Sequence, residues 1–243
     1  MSFKDFIIDS VKYAVQEKTT FLVFGLLLVA LAFLPVSEIM DPSAFLNKSP
    51  LDLILFIPVA LITLILLMIQ GGYLSKILMD LVNDIDVIPK FENISFLIKE
   101  GVKDLVLGIF YMIPILIFMV IPQSWGDLYL ILGLILFILT YLFLLIFQTA
   151  LLYTVIEDYK KAFNVIYIFK KSKEIGFKRL HLVLILSIII TAIVGSIMFT
   201  NKDPVTTAIL VIIGFILYPI LAIMDARYLG LIGREILDKK YEK

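Results

Sequence analysis

Residues 51–108 read LDLILFIPVALITLILLMIQGGYLSKILMDLVNDIDVIPKFENISFLIKEGVKDLVLG. The stretch opens as an apolar run, 53–69, passes through Gly71-Gly72-Tyr73, and continues with charged residues mixed into a helical pattern. It breaks at Asp86-Val87-Ile88-Pro89, restarts as a short amphipathic helix at 93–103, and enters a second apolar run at Leu105. This is the pattern of one helix leaving a membrane, one lying on its surface, and one going back in.

The rest of the chain repeats that alternation. Six apolar runs are long enough, or nearly so, to cross a hydrocarbon core of about 30 Å: 19–36, 51–70, 105–121, 128–153, 180–199 and 205–224. They lack the strict alternation of barrel strands, and backbone polar groups in lipid must be satisfied within each segment, so helices are expected. Pro58, Pro114 and Pro219 fall inside the runs and are read as kinks rather than ends. The fold class expected is all-α: a single integral membrane domain over 1–243, with six membrane helices and three amphipathic helices on one face. With 61% hydrophobic and only 17% charged residues, too little polar surface remains for a water-soluble domain. The first 18 residues carry Asp5, Asp9 and Glu17 among their lysines and do not read as a signal peptide.

Nineteen of the 21 lysines and arginines fall in the N-terminal segment, the 2–3 and 4–5 connections and the C-terminal segment; only Lys48 and Lys202 fall on the other side. The positive-inside rule then puts both termini in the cytoplasm of a multi-pass cell-membrane protein. Trp125 and Tyr129 suit the outer interface, and Tyr73, Tyr153 and Tyr228 the inner one. The helices starting near Leu51 and Val205 run on for more than 30 residues. At 1.5 Å per residue that is about 50 Å, so their ends are expected to overrun the membrane, strong tilt being the alternative. A threefold hairpin repeat with units 1–86, 87–158 and 159–238 is one reading, since QEKTTFLVFG at 16–25 parallels KEGVKDLVLG at 99–108. Chance similarity between apolar segments is the other.

The segment GGYLSKILMDLVNDIDVIPKF followed by EGVKDLVLGIFYMIP resembles the signature of a prokaryotic membrane-protein family catalogued as domain of unknown function 4013. The resemblance rests on Gly72, Tyr73, Pro89, Phe91, Gly101, Lys103, Tyr111 and Pro114. It implies six helices with interspersed surface segments and brings no assigned reaction. A more distant similarity is to the membrane region attached to some glycerophosphodiester phosphodiesterases.

Asp225 and Arg227 end an otherwise apolar helix, where charge is costly enough to raise a functional hypothesis. Two residues apart, they do not face each other. Lys76 is the partner considered for Asp225, and Asp80 or Glu157 for Arg227. The plainer reading is a lock between helix ends at the headgroup level. Gln148 and Thr149 lie at the corresponding depth of the fourth run and read either as a polar entrance or as ordinary interhelical hydrogen bonds. Gly71-Gly72 reads as a hinge or, more simply, as close helix packing. Lys160, Lys161, Lys170, Lys171, Lys173, Lys178 and Arg179 form a basic segment suited to anionic headgroups of the inner leaflet, or merely to fixing topology. His181, at the entry of the fifth run, reads as interfacial, a proton relay being the sharper alternative.

With no cysteine and one histidine, thiolate and histidine-rich metal sites are excluded, and no cofactor is expected. Zero net charge gives no reason to expect nucleic acid. There is no phosphate-binding loop, HExxH or GxSxG pattern, and the helix centres hold almost no ionisable residues, so enzymatic activity is not expected. Two functions remain: handling of a lipid or small apolar solute, alone or as the membrane subunit of a transporter, and a non-transporting scaffold at the inner leaflet. The partners expected are the bilayer with its anionic inner-leaflet lipids and either a partner protein or a second copy of the chain.

Overall fold

A run of apolar residues with no periodicity buries nothing by itself; it needs lipid around it or other helices against it. Both conditions are met here. The computed structural model describes residues 3–33, 50–121, 124, 126–199 and 204–241. Expectations that fall on Trp125, Lys48, Lys202 and residues 34–36 lie outside the described residues.

Among the described residues the chain is helical and has no strand. In order come α1 (Phe3–Ala14), α2 (Lys18–Phe33), α3 (Pro50–Val82), α4 (Ile94–Tyr111), α5 (Ile113–Val120) and α6 (Asp127–Ile156). A 3₁₀ turn (Tyr159–Phe163) leads to α7 (Val165–Ile175), α8 (Phe177–Phe199) and α9 (Pro204–Tyr241). Four stretches are long and apolar enough to cross a membrane: Ile57–Val82, Asp127–Ile156, Phe177–Ser196 and Ala208–Asp238. A fifth is added if α1 and α2, bent by 86° between Ala14 and Lys18, form one broken span. Large apolar side chains on these helices point outward, including Phe137 at 72% and Leu130 at 67% exposure. Such side chains are tolerable only where the surrounding solvent is hydrocarbon. The chain is a multi-pass membrane protein.

Helices α3 and α9 are continuous over 33 and 38 residues, through Pro58 and Pro219. Pro114 behaves differently. It stands second in α5, just after the chain leaves α4 at Met112. A proline there cannot donate to the carbonyl four residues earlier and crowds it, so α4 stops and α5 starts in a new direction. The surface helix expected at 93–103 and the apolar run from Leu105 prove to be parts of one helix, α4. Nothing between Gly101 and Leu105 forces a break, since an interior glycine costs only about 1 kcal/mol. Its start is set by Asn93, whose side chain accepts from the Phe96 amide at 3.2 Å. Asp84 and Asn93, at the two ends of the loop between α3 and α4, have positive φ, a conformation these two residue types tolerate.

Helices α3 and α4 cross with backbone against backbone. A Cβ placed on Gly72 would lie 1.8 Å from the Leu97 carbonyl oxygen, and one on Gly101 would lie 1.7 Å from that of Met68. The glycine pair is therefore a close-packing device, each glycine accommodating the other helix's backbone.

Two apolar cores result. The first gathers Phe24, Leu27 and Leu28 of α2, Tyr73 and Ile77 of α3, Leu97 of α4 and Ala222 and Ile223 of α9. The second gathers Leu107 and Tyr111 of α4, Leu145 to Tyr153 of α6, Ile168 of α7, Leu180 and Val183 of α8 and Leu229 of α9. Helices α3, α4 and α9 contribute to both.

Candidate functional site

Polar groups that enter a helix bundle must find partners inside it. Where Asp225 leaves the apolar part of α9, its Oδ2 accepts from Ser187 Oγ of α8 at 3.0 Å. The Ser187 hydroxyl in turn accepts from Gln148 Nε2 of α6 at 2.9 Å. One chain of hydrogen bonds thus ties three helices together, with Gln148 buried at 5% exposure. Lys76, considered from the sequence as the partner of Asp225, instead reaches the Lys90 carbonyl at 3.3 Å in the α3–α4 loop. Asp80 stands one turn further along α3 from Lys76.

Arg227 is almost wholly buried at 4% exposure and points into a different neighbourhood from Asp225. Its Nη2 lies 2.7 Å from Asp9 of α1 and 3.1 Å from Asp86 in the α3–α4 loop. The guanidinium also stacks over the Tyr13 ring at 4.6 Å. Neither Asp80 nor Glu157, the partners weighed from the sequence, holds it; Glu157 pairs with Lys161 and accepts from Tyr167. The reason is geometric. Helix α1 and the acidic loop pack against α9 and bring their carboxylates to Arg227, an arrangement that spacing along α3 or α6 does not encode. Around the same place Ser10 Oγ, Tyr13 Oη, and Arg227 Nε and Nη1 are buried with no hydrogen-bond partner.

Thr149, next to Gln148, faces away from Asp225 and accepts from Ser172 Oγ of α7 at 2.8 Å, both residues being fully buried. The residues singled out in the sequence therefore divide into three groups: Gln148 with Asp225, Thr149 with Ser172, and Arg227 with two carboxylates not singled out beforehand.

Between α3, α4, α6 and α9 lies a cavity of about 180 Å³. Its apolar wall is made by Leu74, Leu78, Phe147, Leu151 and Leu229, and its polar wall by Ser75, Asp104, Gln148 and Asp225. Asp104, one residue before the apolar run at Leu105, accepts from Ser75 Oγ at 2.5 Å. Sequence reading passed over Asp104 and Ser187. An aspartate at the edge of a surface segment looks solvated, and only the crossing of α4 over α3 turns it inward. A second, wholly outward apolar groove of about 530 Å³ runs between α5 and α6, with Phe118, Tyr129 and Phe137 on its walls.

The basic segment occupies the 3₁₀ turn, α7 and the start of α8. Two hydrogen bonds anchor the turn to α4: Tyr111 Oη to the Ala162 carbonyl and Tyr159 Oη to the Lys103 carbonyl, each 2.8 Å. Helix α7 buries Ile168, Ser172 and Ile175 and leaves Lys170 and Lys173 outside. Lys161 pairs with Glu157, Lys171 with Glu174 and Arg179 with Glu235, while Lys173 lies over Phe169. Lys160, Lys170 and Lys178 are exposed, with no ion pair among the described residues. Donating to the Glu157 carboxylate holds the Lys161 ammonium above its usual range. Partial burial, with the Glu157 carboxylate second, pushes the Tyr167 hydroxyl up to about 12. His181 contacts the Phe177 carbonyl at 2.6 Å and the Tyr141 ring, and joins none of these groups.

No group of three or more histidines or carboxylates suited to a metal ion occurs among the described residues. No curated protein and no solved structure matches the chain. The similarity to glycerophosphodiester phosphodiesterase membrane regions thus has nothing further behind it. One family model, described as Protein of unknown function (DUF4013), matches residues 53–224, a span that contains α4 to α8 whole and the crossing of α3 over α4. The signature at Gly72, Tyr73, Gly101 and Tyr111 falls within this match, on the glycines that let α3 and α4 touch and on tyrosines that pin the neighbouring loops. The chain belongs to this family of integral membrane proteins.

Proposed function

We propose that the protein binds a small lipid-like or apolar solute within its helix bundle, alone or as the membrane subunit of a transporter. The observation that carries this reading is the cavity between α3, α4, α6 and α9, mostly apolar and bordered by a few oriented polar groups. A bundle serving only as a scaffold has no need of such a space. The reading is one of binding: the wall is mostly apolar, and Ser75, the one hydroxyl on it, donates to Asp104 with no histidine, lysine or cysteine in the lining.

In this proposal the chain crosses the cell membrane six times, with α4 and α5 supplying the third crossing and both termini in the cytoplasm. The support is the distribution of lysine and arginine, nineteen of 21 on one side. Exposed Lys160, Lys170 and Lys178 then face anionic headgroups of the inner leaflet, each contributing about 1 kcal/mol near the surface. These unpaired lysines also favour the second reading, a docking platform for partners at that leaflet.

Native mass spectrometry of the protein extracted gently from its own membrane tests the first reading. A defined small-molecule adduct is expected, and Ala226→Leu, which fills the cavity wall, is expected to abolish it. A stoichiometric partner protein with no small molecule, or an adduct indifferent to Ala226→Leu, would overturn it. For topology, single cysteines replacing Lys48 and Lys202 should be labelled from outside and one at Lys171 should not; the reverse pattern removes the proposed orientation.

A further inference from the structure

The charge of the cavity narrows what it takes. Its lining includes two aspartates, Asp104 and Asp225, and no lysine, arginine or histidine. Neither carboxylate is matched by a cation. Asp104 is held by Ser75 Oγ and Asp225 by Ser187 Oγ, both neutral donors. Lys103, next to Asp104 in the chain, is engaged with Glu100 at 2.7 Å. Arg227, two residues from Asp225, is turned to Asp9 and Asp86. The second oxygen of Asp225, Oδ1, is shielded from solvent and has no hydrogen-bond partner among the described residues. A buried carboxylate oxygen left this way is costly unless it takes up a proton or a donor reaches the carboxyl group.

The remaining wall fits the same visitor. The ring of Phe147 borders the cavity, and an aromatic face attracts a cation in a desolvated setting. Leu74, Leu78, Leu151 and Leu229 supply apolar surface for a hydrocarbon portion. Carboxylates, an aromatic ring and apolar walls together match a molecule that is positively charged at one end and apolar along the rest. An anionic amphiphile meets two carboxyl groups there and no cation to balance its charge.

We infer that the cavity binds an organic ammonium ion on an apolar skeleton, its charged nitrogen held by Asp225 and Asp104 beside Phe147. The inference rests on the solute-binding reading above and names the chemical class of that solute. An ammonium group donates hydrogen bonds and carries the counter-charge that both aspartates lack.

The test uses the full chain in phosphatidylcholine–phosphatidylglycerol nanodiscs and isothermal titration calorimetry, with empty nanodiscs as blank. The probes are n-hexylammonium, n-hexanol and n-hexanoate, which share a chain and differ in charge. Saturable hexylammonium binding at least tenfold tighter than hexanol, with no hexanoate binding, is expected. Asp225→Asn, which keeps the shape, should weaken hexylammonium at least tenfold and remove its preference over hexanol. Equal binding of hexylammonium and hexanol by the wild-type chain overturns the charge assignment but leaves the apolar-solute reading standing. Absence of saturable binding by all three overturns both, and that comparison needs no variant to fold. Adding phosphatidylethanolamine to the nanodiscs identifies the source of the ammonium. Competition with hexylammonium assigns the site to a lipid headgroup, and its absence assigns it to a free amine.

Discussion

The two halves of α6 have nearly the same composition and opposite surroundings. From Leu128 to Ile138 the helix exposes Leu130, Ile131, Leu134 and Phe137, the last two at 63% and 72%. From Leu145 to Tyr153 it is packed: Leu145, Ile146, Gln148, Thr149, Leu152 and Tyr153 are each 5% exposed or less. The first half is stabilised by hydrocarbon that is as apolar as its own side chains, so neighbouring helices gain little there from apolar contact alone. The second half is held by protein: α4, α7, α8 and α9 surround it, and its polar residues find partners on α7 and α8. The candidate site lies along the packed half, where other helices supply partners for polar side chains.

That difference can be broken most severely at the α3–α4 crossing. Gly101→Ala places a methyl group against the Met68 carbonyl and should destabilise by about 3 kcal/mol or more, with Gly72→Ala similar. Unfolding in mixed detergent micelles followed by circular dichroism would show it. An unchanged midpoint would mean that the helices cross elsewhere. Within α6, Leu152→Ala leaves a void in the packed half and should cost about 3 kcal/mol by the same measurement. Arg227→Met releases Asp9 and Asp86, both of which retain water contact, so a smaller loss of about 2 kcal/mol is expected. Proteolysis near the N-terminus should accelerate in that variant, because α1 loses its tie to α9. Tyr111→Phe removes one buried hydrogen bond to the Ala162 carbonyl and should cost about 1 kcal/mol. Leu134→Ala closes the series. The same side-chain truncation as Leu152→Ala, made where lipid refills the space, should shift the midpoint by less than about 0.5 kcal/mol. Equal costs for the two leucines would erase the distinction between the halves of α6.

Much of the architecture was legible because hydropathy is a local property. Runs of leucine, isoleucine and phenylalanine identify helices that need lipid. The uninterrupted pattern after Leu51 and Val205 foretells the length of α3 and α9, and Gly71-Gly72 points to close packing before any partner helix is known. The partners themselves are not local. Asp225 meets Ser187 and not Lys76, and Arg227 meets Asp9 and Asp86 and not Asp80 or Glu157. Each of those contacts depends on how helices rotate about their axes and where the connecting loops return. The fusion of the surface helix with the next apolar run into α4 also escaped the sequence, since the charged, amphipathic stretch at 93–103 and the apolar run from Leu105 read as two segments. The cavity is the furthest from the sequence. Asp104 and Asp225 lie 121 positions apart, in segments that look unrelated, and share a wall only because α4 crosses α3 while α9 packs beside it. Sequence by itself determined the solvent each segment requires; tertiary structure alone decided which polar residues meet, because their cost in an apolar interior is relieved only by groups that folding brings from far along the chain.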